Sequence, residues 1–379
     1  MPERGGAASL TLRAAEVVAV EPEVGGVTRV QVRIPPDREP APAVAYRAIT
    51  PRIEPGDRVI VNTTAVDLGL GTGGVHFVLA SLEGQPEGGG PGHIMKLRYT
   101  PLQLKVLAVE EEASPHHERL SHIPDLGNRP VAVGSLHSMV PVVAAGIKGR
   151  RPSARVAYVM TDGAALPSAF SGLVAQMKAA GLVDGVITAG HAFGGDLEAV
   201  TVPSAIAAAH SALGADAIIV AMGPGVVGTG TPLGSTALEV GPILDAAGAL
   251  KGAPIAVPRL SCKDPRARHR GISHHTMTAL LHFTHVPAYV PLPGDAAWEP
   301  LLQEKARQLA GAGMRVVWKS GEAAYRIARE VLESSGIRVT TMGRDDREDP
   351  LFFHGAAVAG ELAAEAIGKA MSERGREGT

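Results

Sequence analysis

Residues 217–231 read AIIVAMGPGVVGTGT, an unbroken apolar run that stops at a loop of glycine, valine and threonine. The apolar part, 217–222, does not alternate apolar with polar residues, so it predicts a strand buried on both faces. Short runs of the same kind alternate with helical patterns over the rest of the chain. They are residues 130–133, 156–160, 185–188, 254–257, 288–291, 315–318 and 337–341. This repetition predicts an α/β fold with a mostly parallel, doubly wound, Rossmann-like sheet.

The first 112 residues have a different pattern. Short β-branched or alternating segments, among them 27–34, 59–62, 75–80, 95–99 and 104–109, are separated by glycine, proline and acidic turns. They predict a small β-barrel or β-sandwich domain over residues 1–112. A polar linker, 113–128, then leads to the α/β domain, 129–379.

Composition excludes several classes of protein. The 379 residues carry a net charge of −2 without a long basic run, which argues against nucleic acid as a partner. No stretch reaches the roughly 20 apolar residues of a membrane span, and the single cysteine excludes an intramolecular disulfide framework. We expect a cytoplasmic protein that does not bind membranes, with a homodimer as the default assembly because symmetric pairs are commonest.

The loops that follow the predicted strands are the candidate ligand site. Ligands of open parallel sheets bind where loops leave the carboxyl ends of the strands. The loops concerned are residues 135–138, 161–163, 190–196, 223–231 and 259–275. We expect all of them at one edge of the sheet.

The last of these loops is the densest in chemistry. Residues 259–276 read RLSCKDPRARHRGISHHT, and Ser273 is a suitable helix N-cap. The guanidinium groups of Arg266, Arg268 and Arg270, with the free N–H groups of the helix that follows, predict a site for a phosphate or carboxylate. The alternative is a solvated basic loop that pairs with acidic neighbours.

The glycine-rich loop matches the pattern G-x-G-x-x-G after a strand. Pro224 and Pro232 remove N–H donors, and the next strand ends at Arg259 rather than at a carboxylate that would bind ribose, so a dinucleotide site is disfavoured. The sequence favours a loop whose N–H groups surround an anion, with simple turn glycines as the alternative. We leave the cofactor unknown. The candidate anion-binding residues here are Gly223, Gly225, Gly228, Thr229, Gly230 and Thr231.

Histidines and aspartates in the same loops are the candidate catalytic residues. Asp162, Asp196 and His191 follow neighbouring strands, where they can move a proton; a turn-forming or helix-capping role is the alternative for the aspartates. His269, His274 and His275 complete the set. Consecutive residues on a helix point about 100° apart, so His274 and His275 should not both bind one metal ion without help, whereas one of them could do so with His269 or Asp196. We assign no metal ligand, and interpret Cys262 as a small buried apolar side chain.

Six segments together carry a resemblance to a known family. They are residues 62–77, 92–101, 159–164, 192–199, 222–231 and 268–276. With these segments the chain resembles, over almost its whole length, the bacterial family called domain of unknown function 3866, and motifs this long are specific. The resemblance implies no activity, cofactor or catalytic residue.

The sequence therefore leads to one main functional hypothesis. We expect an enzyme that binds a small anionic metabolite at the edge of its sheet and performs hydrolysis or group transfer with histidine and aspartate as acid and base. One alternative is a non-catalytic binding or sensor protein for a nucleotide or sugar phosphate. The other is a metal-dependent hydrolase.

Overall fold

A computed structural model describes residues 10–70, 73–84 and 90–377, with side chains up to residue 370. The chain divides into two compact units. One is Met1–Pro91 with Leu97–Lys105, and the other is Gly92–Lys96 with Val106–Thr379. Residues 71 and 72 of the first family segment lie outside the described residues.

The first unit is a closed barrel in the strand order β1-β2-β3-β5-β4. Val17, Val32, Val59 and Val61 fill its interior and are fully buried, because alternate residues of each strand point inward. The predicted small barrel is confirmed. The strands are β1 (Leu12–Val20), β2 (Val27–Arg33), β3 (Ala41–Tyr46), β4 (Arg58–Asn62) and β5 (His76–Ser81), and a short helix, α1 (Thr64–Asp67), follows β4.

The second unit contains an eight-stranded sheet that is parallel throughout, in the order β11-β10-β9-β12-β8-β13-β16-β17. β14 and β15 form a separate antiparallel pair. From residue 94 onward, across both units, the strands are β6 (Ile94–Lys96), β7 (Leu104–Val106), β8 (Pro130–Gly134), β9 (Val156–Thr161), β10 (Gly185–Ala189), β11 (Leu197–Ala199), β12 (Ala217–Met222), β13 (Ala253–Val257), β14 (Leu260–Ser261), β15 (Gly271–Ile272), β16 (Tyr289–Pro293) and β17 (Arg315–Lys319).

Helices cover both faces of this sheet. Residues of α3, α4, α9 and α10 form the apolar core on one face, and residues of α5 to α8 form it on the other. No helix in the described part of the chain has the length and apolar character needed to cross a membrane. The helices are α2 (His117–Leu120), α3 (Met139–Arg150), α4 (Gly172–Ala179), α5 (Val202–Ser211), α6 (Val240–Ala249), α7 (His274–His282), α8 (Glu299–Gly311), α9 (Gly321–Ser334) and α10 (Pro350–Glu377).

The order of the strands creates a topological switch around β8. The chain leaves β8 toward α3 on one face, whereas the neighbouring strands β12 and β13 lead to α6 and α7 on the opposite face. Crevices form at the carboxyl ends of strands where connections diverge in this way. The glycine-rich loop follows β12 and the arginine and histidine loop follows β13, so the doubly wound fold is as predicted and both loops flank the switch.

Three predicted elements differ from the structure. Residues 337–341 are not a strand: Ile337 packs into the apolar core without pairing, and only Thr341 forms an isolated bridge. The apolar and small residues 167–180 predict one helix, but the structure has a 3₁₀ turn, Ser168–Phe170, followed by α4, because Ser171 is extended and caps the new helix. Residues 113–128 contain α2 and belong to the second unit.

Candidate functional site

The two predicted site loops lie against each other. A Cβ on Gly228 would lie 2.7 Å from Cε1 of His275, and a Cβ on Gly230 would lie 3.5 Å from Cζ of Arg268. Gly228 therefore leaves the space that the imidazole fills. The sequence placed these loops at one edge of the sheet, and the structure brings them into contact.

Asp264 anchors the arginine and histidine loop from inside. Its carboxylate is fully buried and accepts hydrogen bonds from Arg266, at 2.9 Å to each oxygen, and from Arg259 at 3.2 Å. Burial by itself raises the pKa of Asp264, but the bonds from Arg266 and the charge of Arg259 hold it well below its usual value. Arg344 lies 3.9 Å away on the same carboxylate. The loop is thus pinned by one buried charge.

The three predicted anion-binding arginines have different surroundings. Arg266 is committed to Asp264, and Nε of Arg270 donates to the Asp264 carbonyl oxygen at 3.0 Å. Arg268 is exposed and, within the described residues, makes neither a hydrogen bond nor an ion pair. Arg268 is therefore the arginine of this loop whose guanidinium is fully available to a ligand.

The glycine-rich loop holds its own shape. Thr229 and Thr231 hydrogen-bond to each other at 3.0 Å and to the backbone of Gly234, so their hydroxyl groups are used inside the loop. Gly223 approaches the Ala165 carbonyl too closely for a Cβ, at 2.6 Å. The amides of Gly225, Gly228 and Gly230 have no acceptor in the described part of the chain. These amides, rather than the threonines, are open to an anion.

Three histidines form a compact cluster beside this loop. His269 ends a 3₁₀ turn, Ala267–His269, and His274 and His275 begin α7. Their ring centroids lie 4.0 to 5.1 Å apart. The rings of His274 and His275 lie side by side although consecutive positions of a helix are about 100° apart, because side chains lean toward the N-terminus of a helix and no earlier turn lies between them there. One ring nitrogen from each histidine lies within 4.8 Å of the others.

The hydrogen bonds of His275 fix its tautomer. The hydroxyl of Ser235 donates to the Val227 carbonyl at 2.9 Å, so its oxygen accepts from Nδ1 of His275 at 3.2 Å. Nε2 of His275 is then left with a lone pair, and it is buried without a partner. A buried polar atom without a partner costs about 1–3 kcal/mol. His137, a buried histidine after β8, has partners for both ring nitrogens, whereas Nδ1 of His76 is buried without one.

The cluster is neutral near pH 7. Burial, followed by the charges of Arg259 and Arg266, lowers the pKa of His269 to about 3. Burial and nearby positive groups lower the pKa of His275 to about 4, and burial with the charge of Arg268 lowers that of His274. The three rings therefore offer lone pairs rather than positive charge.

The carboxylates of the two predicted aspartates hold backbone groups of neighbouring segments. Asp162, after β9, accepts the backbone N–H of His191 at 2.9 Å and ties two loops of the edge together. Asp196 does not lie at the carboxyl edge, because the chain folds back along β10 before β11 begins. Its carboxylate accepts the amide of Val186 at 2.9 Å, near the amino end of β10, and pairs with Lys178. The contact between the two loops is thus formed by the histidines, with Asp162 at the same edge of the sheet and Asp196 away from it.

Cys262 is half-buried, and its thiol donates to Asp349 at 3.3 Å. Burial raises the pKa of the thiol, so the side chain stays a thiol rather than a thiolate. Its role is to help hold Asp349, which also binds Ser261.

Sequence reasoning missed Glu239, a carboxyl at the same edge of the sheet. It ends the 3₁₀ helix Thr236–Glu239 and accepts the hydroxyl of Thr161, at the end of β9, at 2.6 Å. Burial raises the pKa of Glu239 to about 7. The hydrogen bond from Thr161 lowers this pKa and the negative charge of Asp162 raises it, but both effects are smaller than that of burial. In the sequence it resembles any acidic residue at the start of a helix, so no signal marked it.

We predict that Glu239→Gln stabilises the protein at alkaline pH. The raised pKa means that the folded state holds the proton more tightly than the unfolded state, so stability falls as pH rises from about 4.5 to 7. Glutamine mimics the protonated form at every pH. The difference in the free energy of unfolding, variant minus wild type, should therefore increase by about 2 kcal/mol between pH 5 and pH 8.

Thermal or urea unfolding of both proteins at pH 5 and pH 8 measures this difference. Glu330→Gln, at an exposed position on α9, is the matched control and should leave the pH dependence unchanged. A constant difference between Glu239→Gln and wild type across this range would contradict the prediction.

Fold and site together define a class: a small β-barrel unit and a doubly wound α/β unit with a cationic, histidine-rich loop at the carboxyl edge of its sheet. The chain matches the family described as "Protein of unknown function (DUF3866)" over residues 42–360, and it belongs to that family. The resemblance seen in the sequence is thereby confirmed. No curated protein and no solved structure matches the chain.

Proposed function

We propose that the protein is an enzyme that binds a small anionic metabolite, bearing phosphate or carboxylate, and performs hydrolysis or group transfer. The observation that carries the proposal is the contact between the two loops. Arg268 lies against Gly230, and the imidazole of His275 lies against Gly228. The glycine-rich loop therefore contacts both a guanidinium without a counter-charge and a ring nitrogen without a hydrogen-bond partner. Groups that bind an anion and groups that activate a nucleophile are thus neighbours.

The anion would bind to Arg268 and to the free amides of Gly228 and Gly230. A guanidinium and backbone N–H groups suit the planar oxygens of phosphate or carboxylate. Arg266 supports the site indirectly, since its charge is spent on Asp264. The two loops flank the topological switch of the sheet, which is where open α/β sheets bind their ligands, and this position agrees with the assignment.

The histidine cluster would supply the chemistry. Because its rings are neutral, they accept a proton or bind an electrophile, and do not act as fixed cations. A metal-dependent hydrolase is the second candidate, favoured by the convergence of three ring nitrogens. The single free cysteine suits a reducing compartment, and we place the enzyme in the bacterial cytoplasm, with a homodimer as the default assembly.

Arg268→Ala tests the anion site. We expect wild-type protein to bind inorganic phosphate or a dicarboxylate such as malonate, and the variant to bind 10- to 100-fold more weakly, since a hydrogen bond to a charged group contributes about 1.5–3 kcal/mol. The free energy of unfolding without ligand should change by less than about 0.5 kcal/mol, because Arg268 supports no other group. Calorimetric titration and thermal unfolding measure the two quantities.

Arg307→Ala, at an exposed arginine of α8, is the matched control and should bind the anions as wild type does. Equal binding by the Arg268 and Arg307 variants, or no binding by wild type, would overturn the proposal. Incubation with phosphate esters then separates the functional classes: product formation supports an enzyme, whereas saturable binding without product identifies a sensor.

A further inference from the structure

The histidine cluster has the geometry of a ligand set for a metal ion. His269 and His275 are 1% and 4% exposed, and His274 is half-buried. The three come from two segments, a 3₁₀ turn and the first turn of α7, and one ring nitrogen of each lies within 4.8 Å of the others. A tetrahedral ion with metal–nitrogen distances of about 2.0–2.1 Å draws its ligands closer than this. Small rotations of the three rings would close them on an ion.

Two ring nitrogens of the cluster are buried without a hydrogen-bond partner. Nε2 of His275 carries a lone pair because Nδ1 donates to Ser235, and Nε2 of His274 is also buried without a partner. Nδ1 of His269 lies 2.8 Å from the hydroxyl of Ser273, which orients that ring in turn. Ring nitrogens held by a hydrogen bond on the opposite side are typical of histidines that bind metals.

An anion does not suit Nε2 of His275, since the lone pair of that nitrogen would face the negative oxygens. Neutral imidazole nitrogens that converge on one point bind an electron-pair acceptor, such as a metal ion. Asp264, the nearest buried carboxylate of the loop, is fully engaged by arginines, and the thiol of Cys262 is bonded to Asp349. The ligand set therefore consists of imidazole alone, which suits zinc and its neighbours among the transition metals and not magnesium or calcium.

We propose that His269, His274 and His275 bind one divalent ion of the zinc class. The inference rests on the site of the proposed function and names the group that would act there. Three protein ligands leave one tetrahedral position open, as in catalytic rather than structural zinc sites. Arg268, beside the cluster, would attract an anion to that open position.

Calorimetric titration of the chelator-treated full chain with Zn²⁺ tests the site. We expect one ion per chain, and binding at least about 100-fold weaker in His275→Asn, because loss of an outer-shell partner alone weakens metal sites by 10- to 100-fold. His282→Asn, at an exposed histidine of the same helix, is the control and should bind as wild type does. If His275→Asn does not fold, His274→Asn replaces it.

Co²⁺ provides a second readout, because its visible absorption reports coordination independently of affinity. Wild type and His282→Asn should give the same tetrahedral spectrum, and the cluster variants should not. No binding of Zn²⁺ by wild type, or equal binding by the cluster variants, overturns the metal site.

The two proposals fail separately. Arg268→Ala should keep Zn²⁺ binding while losing affinity for inorganic phosphate. Phosphate binding that needs Arg268, in a protein that binds no Zn²⁺, would remove the metal and leave the anion site. Zn²⁺ binding through the histidines, in a protein with no affinity for anions, would remove the anion site and leave the metal site.

Discussion

Asp264→Asn should destabilise the protein by about 3–5 kcal/mol, the cost of removing one partner from a buried ion pair. The substitution keeps the size of the side chain and deletes the charge that faces Arg259 and Arg266. Arg259 is itself buried, so its guanidinium would be left without a counter-charge. Because Asp264 also pins the loop that carries Arg268 and His269, anion binding should weaken as well.

Unfolding by urea at pH 7 measures this change. Asp125→Asn is the matched control: Asp125 pairs with Lys251 at 2.9 Å in an exposed setting, where such a pair contributes about 0–1 kcal/mol. The pKa of Asp264 is depressed, so its contribution is complete above the ordinary pKa near 3.8 and is lost only as pH falls below it. The deficit of Asp264→Asn should therefore be constant from pH 5 to pH 8, and a loss no larger than that of Asp125→Asn would contradict the prediction.

The parallel sheet was predictable because its strands are buried on both faces. Runs such as 156–160 and 217–222 carry no polar residue that would break the pattern. The barrel strands β1 and β3 were harder to predict, since their alanines have low β-propensity and β3 contains a proline. The prediction of a strand at residues 337–341 was wrong for the opposite reason. β-branched residues indicated a strand, but Ile337 packs into the apolar core without pairing to another strand.

The candidate site was predictable only in outline. Because the carboxyl ends of parallel strands share an edge, the meeting of the loops after β12 and β13 followed from the fold. Which arginine stays uncommitted depends on side-chain geometry: Asp264 captures Arg266 two residues away and leaves Arg268 alone. The sequence also hides the return of the chain along β10, which removes Asp196 from the edge.

Gly360→Ala should cost about 2 kcal/mol through the packing of two helices. α3 and α10 approach so closely that a Cβ on Gly360 would lie 2.4 Å from the Val143 carbonyl oxygen and 3.0 Å from Cα of Gly146. Both obstacles are backbone atoms, which cannot rotate away, so the helices must separate. Overpacking of this kind typically costs 1–3 kcal/mol and occasionally more, which exceeds the roughly 1 kcal/mol that alanine gains over glycine inside a helix.

Gly311→Ala separates the two contributions. Gly311 ends α8, and no atom lies within 4 Å of the position that its Cβ would occupy, so the substitution gains helix propensity without a clash. It should leave stability unchanged or raise it by up to about 1 kcal/mol. Thermal unfolding of both variants provides the comparison. Equal stability of Gly360→Ala and Gly311→Ala would contradict the prediction. It would mean that α3 and α10 can separate enough to accept a Cβ at position 360 without a loss of stability.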